Sequence, residues 1–411
     1  MANSLITPDW ITKESMRVLT NELKFAANVN RDYDDQFKQA GAKVGYTVKA
    51  RLPQRFRTVK GQALVVQSIT DTYTPITITD QAQIGISFGS AEMTMQVDSY
   101  RERYIKPAVA QMANTVDFDG LVRCYPEVWN SVGTPGSVPT ANSTYLDAGV
   151  LLTNTAVPMD GRVAVLDAKS QAGISNANVA IFNPQQYIAE SFRKGQFAGE
   201  ALGISSWFTD QNVARHTSGT FTSSTPLVNG AGQTGSSLIT DGWASGATTL
   251  KRGDIFTIAN VFSINPQSYQ ANPDLQQFVI TADASDATGA ITLSIQPPII
   301  ATGALATVSA LPADDAAILV IGQTGATGTL ATTTSAQNLV YHPDAFTVVF
   351  ADLEEPNGGA KFSRVSSEKY KVAIRFTQQW SIQTDQNAAR LDCLYGWKAI
   401  RPELAARVQG K

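Results

Sequence analysis

The stretch Thr249-Leu-Lys-Arg-Gly-Asp-Ile-Phe256 lies in the segment that decides the fold class of this chain. Its Lys251 and Arg252 are the only basic residues between Thr217 and Asn338, where seven aspartates and no glutamate give a net charge of −5. Gly, Ser, Thr and Ala dominate the segment. A disordered linker has similar low complexity, but short apolar runs recur between turn residues, which predicts an all-β module, a barrel or a sandwich.

The rest of the chain has a different composition, which predicts that this β module is an insertion. The whole chain has a net charge of −3, so the remaining residues sum to +2. At 411 residues the chain exceeds one ordinary compact domain, and two or more lobes are expected. Charged residues make up only 16%, against roughly 25% in average soluble chains, which fits large subunit interfaces as well as Ser- and Thr-rich β structure.

Charge, cysteine content and hydropathy argue against several classes of protein. The net charge of −3 is not that of a general nucleic-acid binder. Cys124 and Cys393 are too few for a disulfide framework and fit a reducing cytoplasm. The N-terminal residues lack the basic start and apolar run of a signal peptide, and no stretch approaches the roughly 18 apolar residues of a membrane helix. We therefore expect a protein that is made in the cytoplasm and has no membrane partner.

The N-terminal part, residues 1–40, is predicted to be a helical arm. Thr7 can cap a helix that begins at Pro8 and continues to about Ala27. Apolar residues at helical spacing form one narrow stripe on it: Met16, Leu19, Leu23 and Ala26. Such a stripe docks either on the chain's own core or on a neighbour.

Residues 41–98 alternate between apolar and polar positions, which predicts the two arms of an extended β-hairpin loop or a small sheet. The first arm, residues 41–70, contains no acidic residue, and the second, residues 71–98, contains no basic residue. Two interpretations remain open. One is an ordinary antiparallel pair with a solvated polar face, and the other is a loop that lies across an oppositely charged neighbouring subunit.

The longest helical signal runs from Ser99 to about Tyr125, a length of roughly 40 Å. Pro107 is expected to kink this helix or to mark its first turn, and Pro126 to end it. We assign residues 99–218 to a mixed core, residues 219–337 to the insertion and residues 338–411 to strands that return to the core. Further elements predicted in the mixed core are a helix from Ser143 to about Thr155, strands at Val163–Leu166 and Val179–Phe182, and a helix from Pro184 to Phe197.

The sequence contains only weak matches to catalytic or metal-binding patterns. His216 and His342 are far apart and outside zinc-ligand spacings. Gly85-Ile-Ser87-Phe-Gly89 matches the G-x-S-x-G nucleophile elbow, but apolar alternation continues through Ser87. That favours a strand over the strand–turn–helix that exposes a nucleophile. We therefore predict no catalytic residue, no metal site and no cofactor.

Two further patterns are better explained as polar loops. Gly230–Ser237 resembles a phosphate-binding loop, yet Ser236 stands where the lysine belongs. The acidic cluster of Asp32, Asp34 and Asp35 lacks the glycine turn and the distal glutamate of a calcium loop.

Four short segments carry a family resemblance. They are Phe182-Asn-Pro-Gln185, Thr249–Phe256, Asn338-Leu-Val-Tyr-His-Pro-Asp-Ala-Phe346 and Leu394-Tyr-Gly-Trp-Lys-Ala-Ile-Arg-Pro-Glu403. Together with the order of helical arm, hairpin, long helix, mixed core and inserted β module, this set resembles the coat-protein family of short-tailed, Salmonella-type temperate phages. The N-terminal 40 residues carry no matching motif.

The resemblance implies an α+β chain with the tailed-phage major-capsid fold of the Hong Kong phage type. Its expected parts are an N-terminal arm, an extended β-hairpin loop, a long spine helix, an axial domain and an inserted β-barrel domain. The implied function is that of a major capsid protein, which self-assembles into hexamers and pentamers of an icosahedral shell around double-stranded DNA without sequence-specific binding.

The resemblance also implies partners and a location. The partners are other copies of the chain, a scaffolding protein and a portal protein at one vertex, and the location is the virion capsid, assembled in the host bacterial cytoplasm. The expected inter-subunit contacts of the hairpin are basic: Lys49, Arg51, Arg55, Arg57 and Lys60.

Other functions remain as alternatives. A tail-tube or fibre subunit is the nearest, but fibres favour long β-repeats, whereas Ile105, Val109, Met112 and Val116 form a helical apolar seam. A serine hydrolase that uses Ser87 and a glycan-binding module built on the insertion are less favoured.

Overall fold

The structure is a computed structural model of the chain. It describes residues 23–31, 47–58, 72–89, 106–177, 199–353, 361–367 and 372–411, apart from residues 287 and 326–327, together with residues 15, 60–62 and 66. The strand predicted at Val179–Phe182, the helix predicted at Pro184–Phe197 and most of the predicted N-terminal helix lie outside the described residues.

The described secondary structure is mostly strand. The α-helices are α1 (Lys106–Cys124), α2 (Asn142–Asn154) and α3 (Ala168–Ala177), and short 3-10 turns occur at Ala26–Asn28, Tyr125–Glu127, Pro343–Ala345 and Pro402–Leu404. Within the described ranges, no helix has the length and apolar character needed to cross a membrane. The strands in chain order are β1 (Thr47–Arg51), β2 (Tyr73–Thr77), β3 (Asp80–Gly89), β4 (Ser131–Val132), β5 (Val163–Leu166), β6 (Ser206–Thr209), β7 (Arg215–Thr217), β8 (Phe221–Ser224), β9 (Leu227–Val228), β10 (Gly235–Asp241), β11 (Thr249–Leu250), β12 (Ile255–Ile264), β13 (Ala271–Ile280), β14 (Ala284–Ser285), β15 (Ile291–Ile299), β16 (Ile318–Val320), β17 (Gly328–Leu330), β18 (Thr334–Tyr341), β19 (Phe346–Ala351), β20 (Lys361–Ser367), β21 (Val372–Ser381), β22 (Gln386–Ala399) and β23 (Ala405–Gln409).

The chain divides into two compact units. The first comprises Met1–Arg51, Tyr73–Gly120 and Phe346–Lys398. The second comprises Leu52–Thr72, Leu121–Ala345 and Ala399–Lys411. The sequence suggests a different division, into five consecutive segments, and that division stays a prediction.

The first unit is built on a five-stranded sheet in the order β19–β22–β21–β20, with β3 also paired to β22. One face of this sheet is apolar, because Phe376 and Leu391 lie opposite each other on it and both are buried. Strands were predicted within residues 338–411, and β19, β21 and β22 confirm them.

The predicted pairing of the basic arm with the acidic arm is present over five residues. β1 and β2 pair antiparallel from Thr47 opposite Thr77 to Arg51 opposite Tyr73. The acidic arm then leaves this pair, and β3 runs along β22 instead. The reason is the alternation in β3, whose Ile84 and Ile86 extend the apolar face of the larger sheet.

The described part of helix α1 covers Lys106–Cys124. It has 19 residues, which corresponds to about 29 Å, and the predicted start at Ser99 lies outside the described residues. Pro107 is the second residue of the described helix, and Pro126 follows the helix in a 3-10 turn, as predicted.

A close approach holds α1 against β22. A Cβ atom at Gly120 would lie 2.5 Å from the Trp397 ring, so the glycine allows the indole to contact the helix backbone. The Trp397 Nε1 donates a hydrogen bond to the Val116 carbonyl at 3.1 Å, and Phe25 stacks on the same indole with ring centroids 5.1 Å apart.

The described end of the N-terminal arm is held by a carboxylate. Asp117 on α1 accepts hydrogen bonds from the backbone N–H groups of Lys24 at 2.6 Å, Phe25 at 3.2 Å and Ala26 at 3.0 Å. The prediction that an α-helix continues through Ala27 is therefore wrong at this end, because these N–H groups are bonded to Asp117 and not to carbonyls of a preceding turn.

The second unit contains a mixed sheet in the order β4–β23–β18–β5–β6, with β7 on β18. The predicted strand Val163–Leu166 is confirmed as β5, and all four of its residues are buried. The helix predicted from Ser143 is confirmed as α2, which buries Tyr145, Ala148 and Leu152 at helical spacing.

The segment from Gly219 to Gln337 contains strands and turns and, in its described residues, no helix. Its main sheet has the order β16–β12–β13–β15–β10–β9. Burial alternates along β15, which directs its isoleucines and leucine into an apolar core that includes the stacked rings of Phe256 and Phe278. The prediction that this segment is rich in short strands is confirmed.

Backbone hydrogen bonds also join the two outer strands of this order. The Val228 N–H on β9 donates to the Ala316 carbonyl at 3.0 Å, and the Ile318 N–H on β16 donates to the Pro226 carbonyl at 2.9 Å. Leu227 and Ala317 form an antiparallel bridge between them.

Candidate subunit-contact residues and a buried polar junction

The first two residues of the predicted basic contact set lie on β1 in the first unit. Lys49 and Arg51 are both exposed. The Lys49 Nζ lies 4.4 Å from the centroid of the Tyr73 ring, on the paired strand β2. This cation–π contact holds the ammonium group over the strand pair while leaving it accessible.

Arg55 belongs to the second unit and has an acidic partner within the chain. Its Nη2 lies 3.5 Å from Glu403 Oε1, and the Nε of Arg401 lies 3.1 Å from the same oxygen. Glu403 thus faces two guanidinium groups, so a positive charge remains at this partly exposed cluster.

Arg57 lies beside the turn between β12 and β13. Its guanidinium carbon is 5.6 Å from the centroid of the Tyr269 ring. The Tyr269 hydroxyl donates to the Ala304 carbonyl at 3.1 Å, and the Phe56 carbonyl oxygen is a second acceptor for the same hydrogen at 3.4 Å. The Phe56 side chain is 59% exposed, so this segment presents an aromatic ring and a cation together.

The five predicted contact residues are therefore divided between the two units. Lys49 and Arg51 are in the first unit, whereas Arg55, Arg57 and Lys60 are in the second, and Lys60 is exposed. The sequence signalled the charge of this stretch but gave no sign that the chain changes unit after Arg51.

A buried polar junction that the sequence did not predict is centred on Asp254. One oxygen of this carboxylate accepts hydrogen bonds from the backbone N–H of Lys251 at 2.7 Å and of Gly219 at 3.0 Å. The other oxygen lies 2.8 Å from His216 Nε2. Asp254 and His216 are 4% and 7% exposed, so the carboxylate is satisfied by protein groups.

Arg407 on β23 completes the junction. It is fully buried and donates to the Gly253 carbonyl at 2.9 Å, and its guanidinium carbon lies 5.8 Å from the centroid of the Tyr125 ring. Burial lowers the pKa of Arg407 to about 10, opposed by the field of Tyr125 and Asp254. The Tyr125 hydroxyl lies 3.4 Å from His216 Nδ1, and burial raises the pKa of this tyrosine.

The geometry of the junction explains why glycine and aspartate occupy the last two positions of Lys251-Arg-Gly-Asp254. Gly253 has a φ of +102°, and a Cβ atom there would lie 3.2 Å from the His216 ring. The aspartate then turns back to bond the backbone of Lys251. These residues connect the strands of the 219–337 segment to the sheet of the second unit. The residues Lys251–Asp254 stand out in the sequence as a charged motif, but the sequence does not indicate that His216, on another strand, contacts them.

A protein-family model matches most of the sequence and shows the family of this chain. Residues 69–409 match the family model described as "P22 coat protein - gene protein 5". The chain belongs to the P22 coat protein family. It is a major capsid protein of a bacteriophage, a structural component of the virion capsid, and the matched range includes the whole polar junction.

Comparison with solved structures lists similar chains from bacteriophages, each at a TM-score below 0.5. The similar structures include one from Mycobacterium phage Che8, with 14% identity, a TM-score of 0.46 and coverage of 94% of this chain and 90% of that one. Another is the capsid of Ralstonia phage GP4, with 11% identity, a TM-score of 0.45 and coverage of 94% and 88%. A third is the capsid of cyanophage P-SCSP1u, with 10% identity, a TM-score of 0.43 and coverage of 89% and 83%. A search of curated protein sequences found no match.

The patterns that suggested chemistry have structural roles in this coat protein. Ser87 lies within the regular strand β3, and not at a strand–turn–helix elbow. Gln233 holds the Gly230–Ser237 loop by donating to carbonyls, including that of Ile239 at 3.0 Å. Among the described residues, no cluster of three or more His, Cys, Asp or Glu side chains could hold a metal ion.

Proposed function

We propose that this coat protein self-assembles into the hexamers and pentamers of an icosahedral shell that encloses double-stranded DNA. The observation that carries the proposal is the match of residues 69–409 to a coat-protein family, which spans most of the chain. A mechanism of this kind depends on switching between packed states and requires no catalytic residue.

The proposed fold is the tailed-phage major-capsid fold of the Hong Kong phage type. Its proposed parts are a helical arm at residues 1–40, an extended β-hairpin loop at 41–98, a peripheral and axial core with the spine helix at 99–218, a β-barrel insertion at 219–337 and return strands of the core at 338–411. The bonds from Val228 to Ala316 and from Ile318 to Pro226 support the barrel, because they link the first and last strands of the sheet order.

The proposed partners are other copies of the chain, a scaffolding protein and a portal protein at one vertex. Assembly would take place in the host cytoplasm, and the enclosed DNA would be held without sequence-specific contacts or a cofactor. The net charge of −3 supports this, because a strongly basic lining would hinder packaging and release.

The proposed inter-subunit contacts are Lys49, Arg51, Arg55, Arg57 and Lys60. The exposure of Lys49, Arg51, Arg57 and Lys60 supports this role, since a neighbouring subunit can reach an exposed charge. The Arg55 cluster adds to it, because Glu403 neutralises only part of the charge of Arg55 and Arg401.

Electron microscopy of the protein expressed in bacteria, with and without the neighbouring phage genes, tests the proposed function. Closed round shells, or malformed spirals and tubes, are the expected result. Dispersed monomers in every condition, including co-expression with a scaffolding gene, would overturn the assembly proposal.

A further inference from the structure

A groove of about 470 Å³ lies on the sheet of the first unit. The groove is lined by residues that lie opposite one another on β3, β22 and β21, on one face of this sheet. They form two rows, Gly85, Arg390 and Thr377 in one, and Ser87, Ala388 and Gln379 in the next. The floor is low where side chains are small, and a Cβ atom at Gly85 would meet no atom within 4 Å. Two residues of the G-x-S-x-G pattern therefore line an open groove and not a nucleophile elbow.

The same face of the sheet contains a carboxylate that is already satisfied. Asp392 is fully buried and accepts two hydrogen bonds from Arg375, one from Nε at 3.1 Å and one from Nη2 at 2.7 Å. Gln81 Nε2 donates to it as well, at 3.0 Å. This bidentate pair with an added amide leaves little acceptor capacity for another donor.

Arg390, which lines the groove, is the second cation at this carboxylate. Its Nε lies 3.0 Å from Asp392 Oδ2, but its orientation makes no hydrogen bond there. The Arg390 side chain is 43% exposed. Two guanidinium groups therefore share one carboxylate, and the excess positive charge lies on the exposed residue that faces the groove.

We propose that this groove binds an extended, carboxylate-bearing segment of a second copy of the coat protein, with Arg390 pairing with the incoming carboxylate. The proposal rests on the assembly function proposed above. Charge complementarity selects the occupant: between Thr217 and Asn338 every copy exposes four aspartates, Asp274, Asp283, Asp314 and Asp315, against the two basic residues Lys251 and Arg252. The basic residues Lys49–Lys60 of a neighbour have the same sign as the groove and are disfavoured there.

Cross-linking in assembled shells tests the occupant directly. A photo-cross-linking amino acid replaces Gln379, at the groove wall, and shells are assembled from a mixture of these chains with ¹⁵N-labelled wild-type chains. The expected product joins position 379 to an Asp- or Glu-containing peptide that carries the heavy isotope. Cross-links confined to one chain, or none at all, would overturn the proposal.

Charge variants test the role of Arg390. Arg390→Glu is expected to lower the yield of sedimenting shells about tenfold, because a buried contact of opposite charges becomes one of like charges. Arg390→Lys should retain most of the yield. Lys361→Glu, an exposed reversal on the edge strand of the same sheet, is the matched control and should assemble normally.

The outcomes separate the groove from the proposed function. Wild-type shells together with normal shells from Arg390→Glu would overturn the groove alone, whereas failure of the wild-type protein to form shells would overturn the assembly function. If Arg390→Glu does not fold, as judged by circular dichroism, Arg390→Gln removes the charge without reversing it and should still lower the shell yield. Full yield from a folded Arg390→Gln would count against the proposal.

Discussion

The Nε2 of His216 lies 2.8 Å from Oδ1 of Asp254, and both side chains are buried. His216 is on β7, at the edge of the mixed sheet, whereas Asp254 immediately precedes β12. The pair therefore joins the strands of the 219–337 segment to the remainder of the second unit. Because Asp254 also bonds two backbone N–H groups, its loss removes several interactions at one point.

Asp254→Asn should lower the free energy of unfolding of the free subunit by about 3 kcal/mol, because it leaves buried donors without a charged acceptor. Urea unfolding followed by tryptophan fluorescence measures this. Asp283→Asn is the matched control, since Asp283 pairs with Lys251 at 2.9 Å in an exposed position and should cost less than about 1 kcal/mol. Equal losses in the two variants would contradict the importance of the buried junction.

Gly253→Ala should cost about 2 kcal/mol more than Gly303→Ala in the same assay. Both glycines have positive φ, +102° and +89°, but a Cβ at Gly253 would lie 3.2 Å from the His216 ring, whereas at Gly303 it meets nothing within 4 Å. A comparable cost at both sites would show that backbone strain alone matters, and not the contact with His216.

The double substitution Arg55→Glu and Arg57→Glu should impair shell assembly while the subunit still folds. Charge reversal turns an attraction for acidic groups of a neighbour into repulsion, and these side chains are at least partly exposed. Sucrose-gradient sedimentation measures the fraction of protein in shells. The control is the pair Arg55→Lys and Arg57→Lys, which retains the charge, and normal shells from the double glutamate variant would refute the contact assignment.

Cys393 should resist alkylation in the native subunit at pH 8. Burial, with the field of Asp392, raises the pKa of this thiol to about 12, so the reactive thiolate is scarce in the folded state. Mass spectrometry after treatment with iodoacetamide should find little modification before unfolding and full modification in urea. Rapid labelling of the native protein would indicate that the sheet around Cys393 opens readily.

Much of the local structure could be predicted from periodicity. The helical seam of Val109, Met112 and Val116 gave an element that the structure confirms as α1, because the pattern places these residues on one buried face. The strand β3 was also foreseen, which argued correctly against an elbow at Ser87.

What the sequence could not provide were partners distant along the chain. The pairing of β3 with β22 joins residues some three hundred positions apart, and the choice between β1 and β22 depends on which sheet offers a matching apolar face. Likewise, nothing near Asp117 signals that it caps the backbone of Lys24–Ala26, and nothing near Asp254 signals His216.

The bonds between β9 and β16 bear on how safely the protein accumulates before it is used. An unpaired outer strand offers a row of free N–H and C=O groups on which another chain can add, a route to aggregation. Here the N–H groups of Val228 and Ile318 are hydrogen-bonded to carbonyls at the opposite outer strand. A coat protein must accumulate in many copies before assembly. Because the outer strands of this sheet are paired with each other, they do not offer backbone groups to another copy. Contacts made by this sheet therefore depend on side chains, which are specific, and not on backbone edges, which are not.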